Sequence, residues 1–453
     1  MQYFNELGSL VEQRWKDQNY DEKVFPDIAA QALSDTDPNN HVSPWEIIRW
    51  LFTSTHIPGQ MDITSEFGNP PVTVYTGPRF HIDVYFWLDG TTSTHQHAFC
   101  GAFHVLLGSS IHCRYTFRDR RPINQHFLVG RTVLESVDLL ETGAIKRILA
   151  GEQYIHSLFH LDRPSATICV RTYHTASGAP QYNYRRPYFG IDPFFKEPLL
   201  IKQVRSASLL LKMQHPDTDA LLCELLARAD FQTTFTILDT VHPDMTGNWL
   251  EKSFGVSKGE QRFEGLLEIA RRRHGELVDL IFPVFEETQR QHNLVYRREL
   301  ITSYEHRFFL ALLLNVPDRV KVLELVKQRF PDRDPVETIT DWVDELAKTR
   351  VMGSAEANVL GINHFDDDYL LVFQCMLEGL TVEQIKSRFE GEFSAEDMRG
   401  LGGKTEELYN SIRSSMLFKS IFLDQPSATT ANRISDNPKL AAAIQSPSLV
   451  VTH

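Results

Sequence analysis

The sequence predicts an α+β protein in three parts: N-terminal helices, an antiparallel β-barrel or sandwich, and a large all-α C-terminal domain. Three observations carry this expectation. Apolar residues recur at helical spacing up to about residue 55; short β-branched and aromatic runs follow from Val72 to about Tyr173; the helical period then returns from Leu199 to about Phe422. These switches set expected bounds of 1–60 for the helical segment, 61–195 for the barrel, 196–424 for the helical domain and 425–453 for a polar tail expected to be disordered.

Each element has a local reason. Phe4, Leu7, Leu10 and Val11 make one helical stripe, and Phe25, Ile28, Ala29 and Ala32 make a second. Ser43-Pro44-Trp45-Glu46 reads as a helix start, with serine at the cap and proline at the first helical position. Pro58-Gly59 breaks the pattern. The runs VTVY, FHIDVYFWL, AFHVLLGSS, HCRYTF, TVLESVDLL and ATICVRTY then read as strands separated by turn residues. In the second of these, His81 and Asp83 alternate with Ile82 and Val84, as on a half-exposed strand. Tyr182 to Tyr188 reads as an aromatic and basic linker, packed between domains. Beyond Pro193 the segments from LLIKQVRSASLLLKM to TEELYNSIRSSMLFKSIF are helical, with RFEGLLEIARRRHGELVDLIFPVFEETQRQ as one long example.

Composition narrows the function. At 453 residues, with 42% hydrophobic and 23% charged, the chain can bury a large core. A net charge of −13 and a pI near 5.8 disfavour nonspecific nucleic-acid or anionic-membrane binding. The five cysteines are widely spaced in apolar runs, which reads as free thiols in a reducing cytoplasm. No basic segment leads into an apolar core at the N-terminus, and no run reaches membrane-spanning length. There is no dinucleotide or Walker loop, no H-E-x-x-H, no C-x-x-C and no G-x-S-x-G. Arg271-Arg272-Arg273 reads as a solvated helix face, and Glu305-His306, being adjacent, cannot share a helix face as a di-iron motif requires.

The chemistry points to histidine. Of 18 histidines, His81, His95, His97, His104, His112, His126, His156, His160 and His174 all fall in the strand region. His95 and His97 follow the turn-like Asp89-Gly90-Thr91-Thr92, and in an extended segment residues i and i+2 share a face. Both imidazoles can therefore reach one metal ion. His104 lies seven residues after His97 and is the next candidate ligand if a bulge turns it inward, with His112 beside it.

This grammar resembles the cupin superfamily. The first cupin motif is met by Gly90, His95-Gln96-His97 and Gly108, while Gly101 or Ala102 stands where the family has glutamate. The second is met by Gly151 and His156, with His160 where the family has asparagine. The resemblance thus implies a three-histidine set, His95, His97 and His156, most similar to the thiol dioxygenases of the cysteine dioxygenase type. It covers about residues 72–175, and the helical domain has no counterpart in small members of that family. In Tyr75-Thr76-Gly77-Pro78-Arg79 the family's carboxylate-gripping arginine is replaced by Gly77, with Arg79 two residues later; Tyr75 and Arg79, together with Arg171 if it points inward from the last strand, become substrate-binding candidates. Cys169, Arg171 and Tyr173 take the alternating positions of the last strand, and Tyr173, Arg171 and His160 become catalytic candidates. The family's cysteine crosslink would fall near Ala102 and is not expected, with Cys100 poorly placed for it.

The implied activity is a mononuclear non-haem iron oxygenase, a dioxygenase using O2 on a small polar or anionic, thiol or amino-acid-like substrate. Neutral imidazoles leave Fe(II) its full charge and open positions, although they also accept zinc, nickel or copper. Two alternatives stand beside it. One is a cupin-type ligand or metal sensor with a helical output domain; the other is a partner-binding helical protein with a decayed barrel. Neither nucleic acid nor membrane is an expected partner, and the sequence is silent on oligomeric state.

Overall fold

The computed structural model describes residues 1–422 apart from 62, 64–66, 89–92, 176, 177, 179, 248–257, 351–357, 363 and 393–396. The turn expected at Asp89-Gly90-Thr91-Thr92, with the first glycine of the cupin motif, and the tail at 425–453 lie outside the described residues.

Three helices come first: α1 (Gln2–Asp17), α2 (Phe25–Thr36) and α3 (Pro44–Thr53). The stripe on α1 buries Phe4, Leu7, Val11 and Trp15, and α2 buries Phe25, Ala29, Ala32 and Leu33. The expected start of α3 is a capping box: the Ser43 N–H donates to Glu46 at 2.9 Å and the Trp45 N–H donates to Ser43 Oγ at 3.3 Å.

Ten strands follow: β1 (Pro71–Thr76), β2 (Phe80–Trp87), β3 (Gly101–Leu107), β4 (Ser110–Asn124), β5 (Phe127–Leu140), β6 (Ile145–Ile148), β7 (Ile155–His160), β8 (Ser165–Thr172), β9 (Asn183–Arg185) and β10 (Phe189–Ile191). They form two five-stranded sheets, β1-β2-β8-β3-β6 and β7-β4-β5-β10-β9, with every ladder antiparallel. The two facing sheets, flanked by helices before and after, are the α+β architecture the sequence predicts.

Two local expectations are corrected. Strand β2 is buried on both faces, with His81 and Asp83 each only 2% exposed. Its even residues Phe80, Ile82, Val84 and Phe86 pack under the N-terminal helices, and its odd residues face the other sheet. The stretch read as a linker at 182–188 instead enters the second sheet as the β9–β10 hairpin, Phe189 pairing with Val129.

The helices after β10 are α4 (Pro198–Lys212), α5 (Thr218–Arg228), α6 (Phe231–Thr246), α7 (Lys258–His274), α8 (Ile281–Glu299), α9 (Tyr304–Asn315), α10 (Arg319–Arg329), α11 (Pro335–Lys348), α12 (Asp367–Glu378), α13 (Val382–Glu392), α14 (Asp397–Ser414) and α15 (Lys419–Phe422). The long helical run is divided between α7 and α8 at Gly275, whose φ of 62° ends α7 in the left-handed region before a short 3-10 turn. Among the described residues no helix is long and apolar enough to cross a membrane. All five cysteines are free thiols, four of them buried.

Burial explains the layering. The first sheet lays Val72, Val74, Ile82 and Ile168 against Phe4, Leu7 and Phe25. The second lays Phe127, Val129 and Phe189 against Phe231 and Phe235 of α6, and Ile111, Cys113 and Phe159 against Phe308 and Leu312 of α9. Each such side chain contributes roughly 1.5–3 kcal/mol on burial. Between the sheets lies a separate group, including Tyr85, Trp87, Phe99, Phe103, Leu158 and Cys169, and the candidate site opens among these residues.

Candidate metal centre

His95 and His97 sit on an irregular segment between β2 and β3, held by both sheets' partners. His95 exchanges both backbone hydrogen bonds with His156 at 2.9 Å, Gln96 N–H donates to Tyr182 O at 3.0 Å, and His97 O accepts from Gly151 N–H at 2.8 Å. The backbone therefore brings residues some sixty positions apart into one antiparallel bridge. His156 is the second residue of β7, where Ile155 and Phe159 face the helices and His156 and Leu158 face inward.

The ligand nitrogens converge. One such atom from each of His95, His97 and His156 lies within 4.8 Å of the others, and all three residues are buried. His97 Nε2 is 2.9 Å from His156 Nε2. Two nitrogens each about 2.1 Å from a shared ion and at right angles would be about 3.0 Å apart, so this spacing fits adjacent metal ligands. His95 Nδ1 is 2.7 Å from Ser93 O, a carbonyl that can only accept, so Nδ1 carries the proton and Nε2 keeps its lone pair for the site. Burial pushes the His95 imidazole below its ordinary pKa, and burial plus neighbouring imidazoles and arginines push His97 and His156 well below it. All three are held neutral, the form that binds metal.

His112, on the inward face of β4, supports His156. Its Nε2 is 3.2 Å from His156 Nδ1 and 3.2 Å from the Tyr154 hydroxyl, while its Nδ1 lies 3.9 Å from Asp138 Oδ2. A proton on His156 Nδ1 donated to His112 leaves His156 Nε2 free to face His97, the way an outer partner orients a metal-binding imidazole.

The three histidines line a cavity of about 1000 Å³ whose wall also holds Tyr85, Trp87, Phe99, Arg171 and Tyr173. Arg171 lies with its guanidinium 3.6 Å above the Phe99 ring and donates to the Tyr85 hydroxyl at 3.3 Å. Tyr85 in turn donates to Asp83 at 3.0 Å, and Asp83 also meets His81 at 3.0 Å and Thr73 at 2.8 Å. Tyr173 lines the cavity with its ring stacked on His81, but its hydroxyl donates to Gly77 O at 2.8 Å, so that proton is engaged away from the imidazoles.

Other sequence candidates are placed elsewhere. Tyr75 packs on α1, where Gly8 leaves no room for a Cβ beside the phenol ring. Arg79 stacks on Tyr20 at 4.3 Å. His160 is stacked on Trp87 at 4.4 Å and bonded to Ser165 Oγ at 2.8 Å, and burial drives its pKa down to about 3. None of these three lines the cavity. His104 points away from it to Asn39 Oδ1 at 2.5 Å, between Ala102 and Leu106 on the helix-covered face. Gly101, one of the two positions expected in place of the family's glutamate, pairs with Arg171 of β8, and a Cβ there would collide with the Val170 carbonyl. Cys100 lies in the same helix-covered core, away from the three imidazoles. Sequence reasoning did not single out Tyr85 or Phe99 and left His112 without a role; strand alternation on β2 and β4 would have placed Tyr85 and His112 on the inner face.

Fold and site together define a β unit of two facing antiparallel sheets with a three-histidine group that could bind a metal. The chain matches no protein-family model and no curated protein. Among solved structures it is similar to an uncharacterized conserved protein with a double-stranded β-helix domain from Klebsiella pneumoniae subsp. pneumoniae, at 14% identity over 27% of this chain and 96% of that one, TM-score 0.18. It is also similar to CapF in complex with the inhibitor 3-isopropenyl-tropolone, at 18% identity over 26% of this chain and 32% of that one, TM-score 0.16. A third likeness is to CapF, a capsular polysaccharide assembling protein from Staphylococcus aureus, at 13% identity over 28% and 32%, TM-score 0.15. Likenesses this distant carry no argument about activity.

Proposed function

We propose that this protein is a mononuclear metal-dependent enzyme of the non-haem dioxygenase type, with His95, His97 and His156 as ligands, Fe(II) as the resident metal, O2 as co-substrate and an organic anion as substrate. The observation that carries the reading is the convergence of three buried, neutral imidazoles on the wall of one cavity that also holds Arg171. When bound there, Fe(II) supplies open coordination positions at which substrate and O2 meet. The chain's own residues supply the rest. Ser93 and His112 set the orientation of His95 and His156. Arg171 offers a fixed guanidinium to an anionic group, and the aromatic wall limits water beside the imidazoles.

The test is elemental analysis of purified protein alongside a His95→Ala, His97→Ala double variant, with oxygen uptake measured on the iron-loaded wild type. Undiminished metal in the double variant would sink the ligand set. Metal bound without oxygen uptake on any organic acid would favour the second reading, a metal or ligand sensor. That reading draws on one contact: β4, which carries His112, also packs on α9, where Cys113 Sγ donates to Asn315 O at 3.6 Å.

A further inference from the structure

The cavity beside the imidazoles is larger and more apolar than a small polar substrate requires. Its volume of about 1000 Å³ is at the upper end of the roughly 300–1,000 Å³ that encloses a drug-sized ligand. Aromatic rings form two of its walls. On one, Tyr85 stacks on Trp87 with centroids 5.9 Å apart and Phe67 meets Trp87 edge-on at 4.9 Å. On the other, Phe99 lies 4.4 Å from His97 and carries the Arg171 guanidinium 3.6 Å above its ring. Ring surface of this kind gains from contact with apolar ligand surface and nothing from a small zwitterion that leaves it wet.

Among the described residues the charges on the wall are asymmetric: Arg171 and Lys196 are cationic, and the one carboxylate among the described lining residues, Asp192, meets His126 Nδ1 at 2.8 Å. Asp83 is not on the wall: it lies behind Tyr85 and takes the hydroxyl proton of that tyrosine, whose oxygen then accepts from Arg171. The Asp83–Tyr85–Arg171 chain fixes the guanidinium on the cavity wall, between the Tyr85 hydroxyl and the Phe99 ring face, where a planar anion meets it.

We infer that the ligand of this site is an aryl carboxylate, or an apolar carboxylate of similar bulk, with its ring against the Phe67–Trp87–Tyr85 wall and its carboxylate on Arg171. The inference rests on the proposed metal centre for any chemistry, but the binding it describes needs no metal. It places selectivity in the cavity wall and makes a thiol-sized substrate too small to fill the site.

The test is calorimetric titration of the full chain, as purified and after chelation, with 3-phenylpropanoate, 3-phenylpropanamide, propanoate and cysteine. The expected result is 3-phenylpropanoate binding at least ten-fold tighter than propanoate or cysteine. Arg171→Gln should cost the carboxylate at least ten-fold and leave the amide within two-fold; Arg171→Lys, which keeps the charge, should fall between. Equal binding of propanoate, loss of the amide in step with the carboxylate in a variant that melts like wild type, or no binding of 3-phenylpropanoate to folded protein overturns the inference. Should Arg171→Gln not fold, the ring preference of the wild type and the Arg171→Lys comparison decide. A ring-selective protein that takes up no metal would remove the metal centre and keep this inference; one that takes up metal without ring selectivity would do the reverse.

Discussion

The cavity side and the helix-covered side of the first sheet carry histidines that read alike in the sequence and end in opposite conditions. His97, on the segment leading into β3, faces two other imidazoles, its Nε2 2.9 Å from His156 Nε2. His104, seven residues on and within β3, meets the Asn39 amide and is packed under α2. Both are buried, and burial lowers the pKa of both. The difference is the partner. The Nε2 of His104 has a dedicated amide partner and needs no ion, whereas a ring nitrogen that meets another ring nitrogen needs a shared proton or a shared cation; Nδ1 of both residues lacks a partner among the described residues. Histidine count and burial therefore identify a region, and only partners identify a site.

The sharpest break of that comparison is the pair His95→Ala, His97→Ala against His104→Ala. The double variant should lose metal affinity on the order of 100-fold or more, read by competition with a chromophoric chelator, while His104→Ala keeps wild-type affinity. Equal losses in the two would erase the distinction.

A second contrast sets these neutral imidazoles against buried charge held by charge. Burial alone would raise the Glu287 carboxyl, but Arg186 and Arg290 outweigh it and bring its pKa down to about 2. Arg290 donates to Glu287 at 2.8 Å, and Arg186, between β9 and β10, meets it at 3.3 Å, tying the hairpin to α8. A folded pKa below the unfolded one means stability that is complete above the unfolded pKa and lost as pH falls through the folded value. Acid titration should remove about 3 kcal/mol between roughly pH 5 and 2, and in Glu287→Gln, measured by denaturant unfolding, that share of the acid dependence should vanish.

His112 sharpens the comparison at smaller scale, because it touches the cluster without joining it. His112→Phe should weaken metal binding about 10- to 100-fold, whereas His160→Phe, whose parent ring only stacks on Trp87 and bonds Ser165, should leave affinity unchanged. The same affinity in both variants would mean that His112 does not orient His156. The smallest effect belongs to His104→Ala itself: the bond to the exposed Asn39 side chain is lost, at a cost of about 1 kcal/mol that thermal unfolding reads directly.

Much of the molecule was legible in local pattern. The stripe of Phe4, Leu7 and Val11, the cap at Ser43 and the change of period near residues 72 and 199 each depend on neighbours a few residues away, and each appears in the structure as expected. His95 and His97 were visible because two histidines one residue apart are unusual in themselves. Arg171 and Tyr173 were visible as alternating residues of the last strand, and both line the cavity. Less legible were Tyr75, Arg79 and His160, which proximity in sequence to the motifs made attractive and which packing sends elsewhere. Strand β2 misled because alternation of polar with apolar residues looks the same whether the polar face meets water or a second sheet. The β9–β10 hairpin was missed because its two three-residue strands are shorter than any periodicity that could announce them.

By itself the sequence determined the class of each segment and the residue types available for chemistry, since helical and strand periods and caps are properties of a short window. The tertiary structure alone decided which of those residues meet. The His95–His156 backbone bridge, the turn of His112 toward His156, the turn of His104 away from the cavity, and the aromatic walls beside Arg171 all depend on register between strands far apart in the chain. Register is set by how the two sheets bury their faces against the helices, and a one-residue change in it would send each of these side chains to the other side.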